Sequence, residues 1–98
     1  MTIKVHVRPE AEKDLSDAAA WYEAQRPGLG HQFLEEVRAI FLKISETPLI
    51  YPNIHRNIRR ALIHRFPFGV YYQVKDSEVI IFAVMHGSRN PQNWKNRT

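Results

Sequence analysis

The chain has 98 residues, 44% hydrophobic and 24% charged, which is enough for one small domain with a core of modest stability. It has no cysteine, which excludes disulfide staples and cysteine metal sites, and no apolar run approaches the roughly 18 residues that cross a bilayer. Its net charge of +4 is unevenly placed: the acids run from Glu10 to Glu46, and beyond residue 47 only Asp76 and Glu78 are acidic, so the second half suits an acidic or polyanionic partner.

In chain order, Ile3, Val5 and Val7 alternate with Lys4, His6 and Arg8, which predicts a half-buried strand. The opening MTIKVHVRPE lacks the apolar core of a secretory signal. Pro9 ends the strand and suits the first turn of a helix over about Glu10–Gln25, with Ala11, Leu15, Ala18 and Tyr22 on one face. Arg26-Pro27-Gly28-Leu29-Gly30 breaks it. A second helix follows, from Leu29 or His31 to Glu46, with Phe33, Val37, Ile40, Phe41 and Ile44 as its stripe, and the two form an antiparallel hairpin. Thr47-Pro48 ends it, and Leu49 to His55 reads as a loop.

Arg56 to Tyr72 holds Arg56, Arg59, Arg60 and Arg65, interleaved with Ile58, Leu62, Ile63 and Phe66. Mixed this closely with apolar residues, the charge belongs to a strand that packs on one side and is basic on the other. Arg59 and Arg60 have opposite parity, so the periodicity leaves open which arginines face solvent. Phe66-Pro67-Phe68-Gly69 interrupts the strand, since proline has no ladder donor. Val70–Val74 is a second strand, Lys75–Glu78 a polar turn, and the unbroken apolar run Val79–Met85 a strand covered on both faces and the natural centre of the sheet. Pro91 opens a short terminal helix carrying Trp94. The order strand, helix, helix, strand, strand, strand is an α+β domain, a helical hairpin on a three-stranded antiparallel portion with the N-terminal strand apart.

Three pieces carry a family resemblance: Arg59-Arg60-Ala61-Leu62, the segment from Arg65 to Tyr72, and the ending Val84-Met85-His86-Gly87-Ser88-Arg89-Asn90-Pro91 with Trp94. With the order of elements they resemble the RelE/ParE superfamily, the toxins of type II toxin–antitoxin modules, often called plasmid stabilisation proteins. That resemblance implies a single-domain cytoplasmic protein that inhibits growth, partnered by a cognate antitoxin, with no membrane role, cofactor or metal. RelE-like members cleave ribosome-bound mRNA without a metal, whereas ParE-like members poison DNA gyrase. The fold alone does not separate the two.

RNA cleavage of that kind needs a base, an acid and cations for the phosphorane. Arg65 and Arg89 match the cationic positions of RelE-like toxins, and His86 and His64 are the proton-transfer candidates. Each has a plainer use: His86 as a strand-end histidine hydrogen-bonded to a backbone group, His64 as a surface strand residue, and the arginines as partners of acids on the helices or the antitoxin. Tyr71 and Tyr72 suit sheet packing, and His6, His31 and His55 lack metal-ligand spacing. The tail after Arg89 lacks the proton-transfer residue of RelE-like enzymes; Trp94 lies near that position and moves no proton. The expectation is therefore a ParE-like gyrase poison that uses Arg56, Arg59, Arg60, Arg65, Arg89 and Trp94 to bind its target. The alternative is an endoribonuclease using Arg65, His86 and Arg89.

Overall fold

A computed structural model describes residues 2–98. The elements are β1 (Val5–Val7), α1 (Pro9–Gln25), α2 (Leu29–Glu46), β2 (Asn53–His55), β3 (Ile58–Leu62), β4 (Phe68–Lys75), β5 (Glu78–His86) and α3 (Gln92–Lys95). The α+β class, the helical hairpin and the three long C-terminal strands are as the patterns predict. The sheet itself is larger than expected: five strands in the order β1-β5-β4-β3-β2, all antiparallel except β1, which runs parallel to β5. The segment read as a loop into the basic strand contains β2. The N-terminal strand joins the sheet at its edge, and β4, with β5 beside it, occupies the middle.

Neither two-residue hairpin uses glycine. Arg56 and Asn57 (φ 44° and 67°) join β2 to β3, and Asp76 and Ser77 (φ 53° and 63°) join β4 to β5. Positive φ at both central residues matches the right-handed twist of the flanking strands, and Asn and Asp tolerate it best among residues with a side chain. At the far edge, the His6 imidazole of β1 reaches Glu78 of β5 at 2.8 Å. That hydrogen bond, before any other influence, holds the Glu78 carboxyl below its usual range.

The hairpin packs on one sheet face. Ala11 and Ala18 of α1, Phe33, Val37 and Ile44 of α2, and Val70, Tyr72, Val79, Ile81 and Val84 of the sheet form the main core. The two helices approach closely at Gly30, where a Cβ would lie 2.6 Å from the Ala19 carbonyl oxygen. Gly28 precedes α2 in the left-handed region and offers no capping side chain. The Glu23 carboxylate of α1 replaces it, accepting from the Gly28 and Gly30 amides at 2.9 and 3.0 Å.

The other sheet face carries a second, smaller core of Ile58, Tyr71, Phe82, Ala83, Met85 and Trp94. Strict alternation along β5 would place Ala83 opposite Phe82. The pairing Tyr71↔Ala83 followed by Tyr72↔Ile81 leaves Phe82 as an extra residue, a β-bulge. The bulge turns both Phe82 and Ala83 to the outer face and sends Val84 to the helices. α3 covers this face: the Trp94 indole stacks on Tyr71 with ring centroids 4.9 Å apart and planes at 19°.

Candidate functional site: a groove beside the end of β5

β1 ends at Val7, because the chain turns into α1 at Pro9, while β5 continues to His86. Beyond Ile81 the edge of β5 therefore has no strand beside it. A clasp covers the first part of that edge. Asp14 of α1 accepts from the Val84 amide at 3.0 Å, and Arg97 donates to the Phe82 carbonyl at 3.1 Å. The two side chains are joined by bonds of 2.6 and 3.1 Å, a bidentate pair that does the work of missing ladder partners. Past the clasp lies a groove of about 650 Å³, lined mainly by Ala18, Trp21, Tyr22, Pro67, Phe68 and Met85, with Asp17 on one wall and His86 and Arg89 on the other. Trp21 is 60% exposed.

His86 sits on the helix-side face, its ring edge-on to Phe68 at 5.4 Å. Its Nδ1 accepts from the Ser88 backbone amide at 3.0 Å and lies 2.8 Å from the Ser88 hydroxyl. A backbone amide only donates, so Nδ1 carries the lone pair and Nε2 the proton. Arg89 is exposed and makes no side-chain hydrogen bond or ion pair among the described residues. Its backbone amide closes the turn onto the His86 carbonyl at 3.0 Å.

The other predicted residues are dispersed. Arg59, opposite Tyr72, donates to the carbonyls of Leu49 and Tyr51 at 3.2 and 2.7 Å and straps the loop that precedes β2. Tyr72 secures the same loop, donating to the Pro48 carbonyl at 2.6 Å. Burial pushes its hydroxyl up to about 12. Arg60, opposite Tyr71, lies on the outer face, its stem against Gly69. Leu62, on the same face, is 65% exposed. Arg56 is exposed in its turn. Arg65, at φ 73°, donates to Gln32 at 3.1 Å and lies 3.9 Å from Glu36, both on α2, and His64 lies 3.7 Å from the same carboxylate. Trp94 is buried in its stack on Tyr71. Of the trio Arg65, His86 and Arg89, only the last two share a site. Asp14, Trp21 and Arg97 are the residues that sequence reasoning did not assign to a site; of these only Trp21, which with Ala19 widens the apolar stripe of α1, carried a signal.

The family model described as "ParE toxin of type II toxin-antitoxin system, parDE" matches residues 5–91. Toxin ParE2 of Mycobacterium tuberculosis is 27% identical over 92 residues, covering 93% of this chain and 88% of its own. Among solved structures, the chromosomal ParDE system of P. aeruginosa superposes with a TM-score of 0.77 at 16% identity, covering 87% of this chain and 96% of that one. A mutant of the E. coli toxin RelE in the free state gives 0.72 at 15% identity, covering 99% and 94%. The structural neighbours share the fold, and the family match over nearly the whole chain carries the assignment: the chain belongs to the ParE toxin family of type II toxin–antitoxin systems.

Proposed function

We propose that this toxin acts in the cytoplasm by binding DNA gyrase, without bond-breaking chemistry of its own, and that a cognate antitoxin neutralises it. The observation that carries the first part is the dispersal of the polar groups. A metal-free nuclease needs its base, acid and cations around one phosphate. Here Arg65 is engaged on α2, and His86 stands beside Arg89 with Nδ1 committed to Ser88. Tyr71 and Tyr72 add no second proton carrier, since Tyr71 is stacked and buried and Tyr72 keeps its proton on Pro48. The matches to ParE proteins lean the same way.

In this reading Arg56, Arg60 and Arg89 contact the target. Arg59, Arg65 and Trp94 hold the scaffold that presents them. The antitoxin reading is supported by two structural neighbours, a chromosomal ParDE toxin–antitoxin system and the intact E. coli RelBE toxin–antitoxin complex. The basic second half suits an acidic partner.

The test is purified protein with gyrase and supercoiled DNA. Wild type should inhibit supercoiling and trap cleaved DNA, His86→Gln should do so nearly as well, and Arg60→Ala and Arg89→Ala should each raise the required concentration severalfold or more. Cleavage of ribosome-bound mRNA by wild type but not by His86→Gln would replace this reading with the endonuclease.

A further inference from the structure

We propose that the outward face of α2, with the loop that follows it, is the contact surface for a second copy of this chain and forms a symmetric dimer. The proposal does not depend on the target of the toxin, and none of its residues lines the groove beside β5.

The order of residues along this face carries the argument. Leu34, Arg38, Leu42 and Glu46 follow one another at four-residue intervals and make one ridge on the solvent side of α2. Phe33, Val37 and Ile44 make the side that faces the sheet, so the ridge is left out of the core. Leu49 and Ile50 come one turn beyond Glu46. The four apolar residues are between 41% and 63% exposed. Of the large exposed hydrophobics among the described residues, only Trp21, in the groove, and Leu62, on the outer sheet face, lie elsewhere. Arg38 and Glu46 are exposed, and neither makes a side-chain hydrogen bond or ion pair among the described residues. The other acids of the helix do: Glu35 pairs with His31, and Glu36 lies beside Arg65. The loop is ordered as well. Arg59 holds the Leu49 carbonyl, Tyr72 the Pro48 carbonyl, and the Ile50 amide donates to Thr47 at 3.3 Å. Apolar side chains on so fixed a backbone lose little freedom when a partner covers them.

Apolar, basic, apolar, acidic, apolar is a pattern complementary to its own reverse. A twofold axis crossing α2 beside Leu42 sets Leu42 against its copy, Arg38 against the partner's Glu46, and Leu34 against the partner's Leu49 and Ile50. Each charged pair then forms twice. An axis at Arg38 or at Glu46 would instead set like charges together. Ridges of this spacing pack on one another in the commonest class of helix contact, crossing at about −50°. A standard interface buries about 800 Å² per partner, and one helix with its loop lies at the small end of that class, so assembly in the micromolar range is expected.

Sedimentation equilibrium on the purified full chain tests this. Wild type should pass from monomer to dimer over the micromolar range. Leu42→Glu sets two carboxylates together on the axis and should leave a monomer throughout. Arg38→Glu and Glu46→Arg should each weaken the dimer tenfold or more, because each pair becomes two like charges. The double variant Arg38→Glu/Glu46→Arg restores both pairs with their signs exchanged and should return to within severalfold of wild type, a rescue that a loss of folding does not give. Leu62→Ser, an exposed leucine outside the face, should dimerise as wild type does. A wild-type monomer at high micromolar concentration, a dimer that survives Leu42→Glu, or a double variant as weak as the single ones would overturn the proposal.

Discussion

The Asp14–Arg97 clasp can be taken apart one interaction at a time. Asp14 is 13% exposed and Arg97 23%, so the pair is neither a free surface bridge nor a fully buried one. Asp14→Ala removes the acceptor of the Val84 amide, and an unpaired buried N–H costs about 1–3 kcal/mol. It also strands the Arg97 guanidinium. Breaking a fully buried pair costs about 3–5 kcal/mol, but Arg97 is already partly exposed and can turn to water, which reduces that part to about 1 kcal/mol. The total expected loss is about 2–4 kcal/mol, a large share of the roughly 5–15 kcal/mol that holds a small domain together. Asp14→Asn keeps an oxygen for Val84 and loses only the charge, so it should cost about 1 kcal/mol. Arg97→Ala uncovers the Phe82 carbonyl, which water can reach, and should cost about 1–2 kcal/mol.

Urea unfolding at constant m-value gives these numbers from the midpoints. The ordering is the sharper prediction: Ala at position 14 worse than Asn, with Asn close to the arginine truncation. In high salt the Asn effect should shrink while most of the Ala effect persists, because screening acts on charge and leaves an orphaned amide unchanged. An Asp14→Ala loss below about 0.5 kcal/mol would show that the edge of β5 does not depend on the clasp. Equal losses for Asn and Ala would show that charge, and not the capped amide, is what matters.

Three other outcomes are expected. Phe82→Ala should cost about 3–5 kcal/mol by the same assay, since the ring is 1% exposed at the bulge and its removal leaves a cavity in the outer-face core. Gly30→Ala gains about 1 kcal/mol of helix propensity but sets a Cβ 2.6 Å from a backbone oxygen that cannot rotate away; with overpacking costing about 1–3 kcal/mol, the net should be a loss, and a stabilised variant would mean the hairpin is looser than drawn. Tyr72→Phe should cost about 1 kcal/mol at neutral pH through the lost bond to Pro48. The folded hydroxyl of wild type is raised to about 12 from 10.0, so the unfolded chain releases this proton first and stability falls as pH rises across that interval; the phenylalanine variant should lack that part of the alkaline decline.

Much of the fold is legible because it is written in local periods. The two helical stripes, the Pro27-Gly28 break and the apolar run of β5 each declare themselves within a few residues. β2 does not, because Pro52 disguises its start and its turn, Arg56-Asn57, has no glycine to announce it. The bulge is invisible for a different reason. Val79 to Met85 is apolar throughout, and a run without alternation cannot show where its phase slips. The site was legible in part. His86 and Arg89 share a motif and end up together, but where Arg59, Arg60 and Arg65 point is fixed by register and by loop contacts on α2 and before β2. The clasp joins residues 83 apart in sequence, beyond the reach of any local pattern.

The extra residue at Phe82 connects these features causally. Without it, Ala83 would face the helices and Val84 the outer face, and every later side chain of β5 would change sides. With it, Phe82, Ala83 and Met85 floor the outer face and give Trp94 a seat against Tyr71, which anchors the tail. The anchored tail carries Arg97 to the β5 edge, where it meets Asp14 and covers the Phe82 carbonyl that the bulge displaces. The same phase shift turns the His86 ring toward Phe68 and its neighbours in the groove. The bulge thus sets both what is sealed and what is left open: the clasp closes the edge as far as Val84, and the backbone beyond it has no strand beside it among the described residues.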